Sequence, residues 1–300
     1  MMLTEKSYYQ DDYSIDLRNI VAAPFSTFSI LGCFYIFISF FANKDIRTKT
    51  LYKLVFHLSF VDFLRTLAGL YVPASVLENQ QNFICTFEAY MVWFTNLCSL
   101  LLATAFSIKI YNMVVRDKSV EKCTDLTKTF ILCYGISFLL TTIFLIISLN
   151  KTEPIFGYDK CFCLIDNSRK ENIAYLGISF YGPYIILAIY NLSMYWRTSS
   201  YIKKFDPSAK KPLKFMLYPL LLFLGAIPAL VGWICQLFEV NHNLNYIYYL
   251  NVGAAQCIGL WNFFVFILTT NSKQGFCLNI KQCCYPSVNE EQKDLEDALV

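Results

Sequence analysis

The stretch NIVAAPFSTFSILGCFYIFISFFAN, from Asn19 to Asn43, contains no charged side chain and ends against Lys44. At about 1.5 Å of rise per residue, roughly 20 such residues in a helix cross a hydrocarbon core about 30 Å thick. Six further apolar stretches follow: Leu51 to Ser75, Cys85 to Val115, Thr129 to Leu149, Ile173 to Trp196, Phe215 to Phe238 and Tyr246 to Thr270. An open strand would leave backbone groups unpaired in lipid, so each stretch is read as a helix. The expected fold class is an all-α membrane protein, a seven-transmembrane helix bundle. An odd number of crossings puts the two ends on opposite faces of the bilayer.

Composition agrees. The chain is 56% hydrophobic and 16% charged, whereas a soluble domain carries about 25% charged residues. Lipid is therefore the expected partner of most of the surface. A net charge of +3, with the lysines in loops rather than on one stripe, gives no reason to expect a nucleic-acid partner. Residues 1–18 are polar and acidic, with no apolar core of their own, so the first span is expected to serve as its own insertion signal. After the bundle (19–271), residues 272–285 have Phe276, Ile280 and Cys283 spaced for a short membrane-lying helix. Residues 286–300 read as an acidic disordered tail.

Basic residues orient the bundle. Seventeen lie in one set of loops (Lys44 to Lys53, Arg116 to Lys128, Arg197 to Lys214, Lys273 to Lys293) and six in the other. The positive-inside rule then puts the amino terminus outside and the carboxyl terminus in the cytoplasm. Three of twelve cysteines fall outside: Cys85, Cys161 and Cys163. In that oxidising compartment a bridge from Cys85 to the loop holding the other two is expected. Cys277, Cys283 and Cys284, just inside the membrane, are either palmitoylation sites or free cytosolic thiols. Asn150 opens a glycosylation sequon on the outer side, abutting the membrane; a second sequon, at Asn191, falls within the fifth span and should be silent.

Charges inside the spans draw attention. Asp62 and Arg65 sit in the middle of the second span, where a lone charge costs about 3 kcal/mol. Three residues apart, they share a helix face. They form either a self-satisfied ion pair or a polar core that differs between two bundle packings, and Arg65 could also meet an anionic ligand group. Glu88, one turn inside the third span, is expected as a solvated mouth residue or a partner for a ligand cation. Lys109 can snorkel to lipid phosphates. Pro219 and Pro228 would hinge or fix a kink in the sixth span. Trp93, Trp233 and Tyr249 fall in the outer halves, where they would line a cavity. Only two histidines occur, His57 and His242, and neither a phosphate-binding glycine loop nor a nucleophile elbow appears. The expectation is no enzyme, no catalytic residue, no metal and no cofactor.

Several motifs carry a family resemblance. The third span closes with Ser107-Ile-Lys-Ile-Tyr-Asn-Met-Val-Val-Arg-Asp117, and the fifth holds Phe180-Tyr-Gly-Pro183. The sixth has Tyr218-Pro219 and Ile227-Pro228-Ala229, and the seventh Gln256-Cys-Ile-Gly-Leu-Trp-Asn262. On these helices and in this order, they resemble the cyclic-AMP-receptor-like G-protein-coupled receptors. Cys163-Leu-Ile resembles that family's outer-loop cysteine, which makes Cys163 the better partner for Cys85. Leu58-Ser-Phe-Val-Asp62 looks like the sequence around the sodium-site aspartate of rhodopsin-like receptors. There is no Asp-Arg-Tyr at the inner end of the third span and no Asn-Pro-x-x-Tyr in the seventh, so the rhodopsin-like switch does not transfer.

The resemblance implies a multi-pass plasma-membrane receptor. It would bind an extracellular ligand and activate a heterotrimeric G protein. Arg65, Glu88, Trp93, Trp233, Tyr249 and Gln256 are the candidate ligand pocket. Lys109, Tyr111, Arg116, Lys203, Lys204, Lys210 and Lys211 are the candidate G-protein interface. Two rivals keep the same fold: a seven-helix transporter or channel, and a membrane protein that does not signal.

Overall fold

The computed structural model describes residues 22–70, 83–116, 123–150, 155–159, 162–165, 170–205, 214–238 and 245–270. Residues 1–18 and 272–300, Cys161, Lys210, Lys211, Cys277, Cys283 and Cys284 lie outside the described residues. The first span is the helix Ala23–Ala42. Asn43 then turns extended, and its Oδ1 caps the short helix Lys44–Thr48 by accepting from Asp45 N at 3.0 Å. The second span is Thr50–Leu70, the third Phe83–Val115 and the fourth Cys123–Leu149.

The last three spans are interrupted. The fifth is Lys170–Leu176, a π-helical turn at Gly177–Tyr181, and Gly182–Phe205. Pro183 cannot donate to the ladder, and the wider turn before it, in which Gly182 N reaches Gly177 O, accommodates the missing bond. The sixth breaks at Ala226 into Leu217–Gly225 and Ile227–Leu237, with Pro228 in the first turn of the second piece. Pro219 likewise lies in the first turn of Leu217–Gly225, where its missing donor does least harm. The seventh, expected unbroken, is Asn245–Gln256 and Ile258–Thr269, bent by 49° at Cys257.

Five of the described helices are long and apolar enough to cross a membrane, and the bent pair, taken as one span, passes the same test. The second-span helix, which carries Lys53, His57, Asp62 and Arg65, is not among them. It packs between the first and third spans. The third span runs through the centre, with Cys98, Ser99 and Ala103 fully buried. The fourth lies at the edge and presents Ile131, Leu132, Phe138 and Leu139 outward.

One feature departs from an all-helical chain. Phe156–Asp159 and Phe162–Ile165 pair antiparallel as a hairpin, β1 and β2, with Tyr158 opposite Cys163. Ser148 at the end of the fourth span accepts from Ile155 N at 2.9 Å and so anchors the start of the hairpin. Cys163 forms a disulfide with Cys85, which fixes the hairpin over the outer end of the third span. Cys85, Ala89, Trp93, Phe156, Cys163 and Ile165 share one buried cluster there.

The first and seventh spans touch where both are small. A Cβ on Gly32 would stand 2.9 Å from Phe263 Cβ and 3.0 Å from Gly259 O, closer than side chains pack. Gly32→Val should therefore cost about 1–3 kcal/mol through overpacking, read as a lower Tm of the purified protein in detergent. Gly135→Ala, whose Cβ would meet nothing within 4 Å, should leave Tm unchanged or raise it.

Candidate ligand cavity and the polar centre beneath it

A cavity of about 230 Å³ lies between the outer halves of the second, third, fifth, sixth and seventh spans, under the β2 residues Leu164 and Ile165. Its walls are mostly aliphatic, with five aromatic side chains, Trp93, Phe180, Tyr181, Tyr184 and Trp233. Trp93, 5% exposed, leans on Phe180 with ring centres 5.3 Å apart. Tyr181 stacks on Trp233 at 5.0 Å, and the Trp233 indole donates to Ile173 O at 3.1 Å. The polar lining consists of Arg65, Asn96, Gln236, Asn251 and Gln256, with the tyrosine hydroxyls. Gln256 Oε1 accepts from Ser26 Oγ at 2.9 Å, which ties the seventh span to the first.

Four of the expected pocket residues, Arg65, Trp93, Trp233 and Gln256, line this one cavity. Tyr249 belongs to the helix Asn245–Gln256, but its side chain is outside the described residues. Glu88 requires a correction. It is only 3% exposed and is not among the residues lining the cavity. That burial removes the solvated mouth residue; Cys85 and Ala89 nearby are buried in the cluster that includes the hairpin residues Phe156, Cys163 and Ile165.

The floor of the cavity is a polar centre. Asp62, fully buried, accepts from Ser99 Oγ at 2.8 Å and from Asn262 Nδ2 at 2.6 Å. Arg65 Nη1 donates to Asn96 Oδ1 at 3.1 Å, and Nη2 donates to Ala255 O at 2.9 Å. The two charges are 3.7 Å apart, an ion pair too long for a hydrogen bond between them. The self-satisfied pair is thus replaced by a network in which each charge takes its hydrogen bonds from other spans. Ala255 O would ordinarily accept from Gly259 N, four residues on. That bond would cross the bend at Cys257, and the guanidinium occupies the carbonyl instead, a recognised way to kink a helix without proline.

A similar exchange occurs at the sixth-span break. The Tyr184 hydroxyl donates to Phe223 O, and Tyr181 donates to Ala229 O at 3.0 Å. Two side chains from the fifth span thereby pin the sixth on either side of Ala226. Asn96, Ser99 and Asn262 were not singled out in advance as partners of the charge pair. The only available signal was that each is an uncharged polar residue within an apolar span.

At the opposite end, Lys109 and Tyr111 are half-buried, and the exposed Arg116 lies 5.6 Å over the Tyr111 ring. Lys203 and Lys204 are exposed on the last turn of the fifth span. Asn150 is exposed, and its Nδ2 donates to Ile146 O at 2.9 Å. Asn191 is buried at 4% exposure.

Removing one member of the charge pair should be severe. Arg65→Ala leaves a carboxylate uncompensated in the interior and should cost about 3–5 kcal/mol. The double replacement Asp62→Asn with Arg65→Gln should recover most of that loss. Thermal unfolding of the three purified proteins checks the order.

Comparison with known proteins agrees with this architecture. Squid rhodopsin superposes over 96% of this chain and 86% of its own, with a TM-score of 0.68 at 16% identity. The fold is therefore that of the seven-helix receptors. The protein called cyclic AMP receptor 2, from Dictyostelium discoideum, is 28% identical over 233 residues, which cover 75% of this chain. The aligned region spans 57% of that relative's length. The family described as Slime mold cyclic AMP receptor matches residues 8–278, which contain the whole bundle, and the chain belongs to that family.

Proposed function

We propose that the chain is a plasma-membrane receptor that binds an extracellular ligand in the 230 Å³ cavity and activates a heterotrimeric G protein at its cytoplasmic end. One observation carries this reading. The cavity is bounded below by Arg65, which holds the seventh span at its bend, and on one side by the Pro228 break of the sixth. A ligand lodged there touches both interruptions at once.

The mechanism is a shift in population. An agonist that binds one packing better than the other favours it by that difference in affinity, and by no more. In the resting packing, Arg65 bridges Asn96 of the third span and Ala255 of the seventh, while Tyr181 and Tyr184 pin the sixth to the fifth. A ligand that draws Arg65 or Trp233 toward itself loosens those ties. The part of the sixth span on the cytoplasmic side of Ala226 is then free to move from the third. Lys109, Tyr111, Arg116, Lys203 and Lys204 edge the surface that such a movement exposes, and the basic segment containing Lys210 and Lys211 continues it. Cyclic AMP, the compound in the relative's name, is the first ligand to assay. Its phosphate would have to compete for Arg65, the one cation among the described lining residues, which Asp62 already faces.

The test is nucleotide exchange on a panel of Gα subunits, in membranes containing a verified surface population of the chain. Exchange on at least one Gα, increased by a ligand that raises the protein's Tm, is expected. Trp233→Ala should weaken that ligand's potency by about 10- to 100-fold, as loss of a buried aromatic anchor does. Ligand-driven solute flux across proteoliposomes with no exchange on any Gα would contradict the reading.

A further inference from the structure

Tyr184 lines a second space as well as the ligand cavity. This is a groove of about 280 Å³ in the seam between the fifth and sixth spans, reaching from the cytoplasmic side across the sixth-span break. Its rim includes Ile185, Ile189, Leu192, Leu224 and Ile227, each between 37% and 62% exposed. On a bundle surrounded by hydrocarbon, that exposure faces lipid. No charged residue lines the groove among the described residues.

Its floor is different. Ser107 and Asn191 line it at 0% and 4% exposure of the whole residue. Asn191 Nδ2 donates to Thr104 Oγ1 at 3.0 Å and to Leu187 O at 2.7 Å, which fixes the amide plane. Asn191 Oδ1 then finds no partner among the described residues, and neither does Ser107 Oγ. Thr104 and Ser107 are three apart and share a helix face, so Ser107 lies on the side of the third span that meets Asn191, and both line the groove. Unmatched polar atoms facing a dry, apolar groove are costly unless something hydrogen-bonds to them.

We propose that this groove binds a sterol of the cytoplasmic leaflet, with its hydroxyl between Asn191 and Ser107 and its rings along Ile185, Leu224 and Ile227. The chemistry of the groove selects this occupant. A single hydroxyl donates to Asn191 Oδ1 and accepts from Ser107 Oγ, whereas a phosphate or ammonium headgroup finds no countercharge. The depth suits a lipid whose polar end is small. Asn191 lies five residues before Trp196, which is 74% exposed, and so about 8 Å inside the cytoplasmic interface. Along the sixth span the groove runs from Met216 to Leu230, about 21 Å of helix. A rigid ring system fills that length with little loss of conformational freedom, unlike an acyl chain.

The experiment uses the full chain in lipid nanodiscs and a photoreactive sterol bearing an alkyne handle. After irradiation, labelled peptides should come from residues 185–195 and 216–230, and excess unlabelled sterol should remove the label. The matching 3-ketone cannot donate to Asn191 Oδ1 and should compete about tenfold less well, the worth of one hydrogen bond. Leu224→Trp fills the groove from a half-exposed position and should abolish labelling without lowering Tm. Ser107→Ala should weaken labelling several-fold. Equal competition by the ketone, label outside the seam, or full labelling of Leu224→Trp would overturn the proposal. Competition by a fatty-acyl lipid but not by the sterol would assign the groove to a lipid chain and would also overturn it. The readout needs neither agonist nor G protein, so its failure leaves the receptor reading untouched.

Discussion

A carboxylate and a guanidinium buried in a membrane bundle must obtain from protein what water would otherwise supply. Asp62 and Arg65, both on the second span, do so by recruiting two others, the third and the seventh. Ser99 and Asn262 satisfy the carboxylate, while Asn96 and Ala255 O satisfy the guanidinium. The arrangement sets the relative positions of the second, third and seventh spans. It also reaches the bend of the seventh, where Arg65 supplies a donor to Ala255 O. A leucine pair in the same place would leave the spans free to pack in more than one register. The desolvation cost of the charges is offset only in the geometry that completes all four hydrogen bonds.

The same logic recurs at the breaks. Helix interruptions free backbone carbonyls, and in hydrocarbon a freed carbonyl needs a donor from elsewhere. At the bend of the seventh span the donor is Arg65, and at the break of the sixth it is Tyr184 on Phe223. Each interruption is thus also a joint between two spans. The outer cavity lies against both joints, with Arg65, Tyr184, Pro228 and Ala255 among its walls. Under the proposed function, binding there and packing of the bundle are therefore not separable.

Much of this was legible in the sequence, and the reasons differ by level. Spans and orientation follow from hydropathy and lysine placement, which reflect the solvent directly. The Cys85–Cys163 disulfide agrees with the family resemblance rather than with spacing, which left Cys161 open. Pro219 and Pro228 marked irregular helix in the sixth span because proline removes a backbone donor. The bend at Cys257 had no such marker, since it depends on a side chain 190 positions away. The burial of Glu88 likewise had no local marker, since a carboxylate one turn inside a span has the same neighbours in sequence whether or not it is solvated. The amide and hydroxyl partners of the charge pair were present in the spans, but nothing in their own neighbourhoods distinguished them from other small polar residues.

The central claim is that Arg65, tied to Ala255 and Asn96, holds the resting packing of the bundle. Basal nucleotide exchange without ligand tests this most directly, comparing Arg65→Gln with the unaltered chain at equal surface density and on the same responsive Gα. Loss of the guanidinium frees the bend of the seventh span, and the account predicts raised basal exchange that ligand increases little further. Basal exchange at or below that of the unaltered chain, with the ligand response intact, would contradict it.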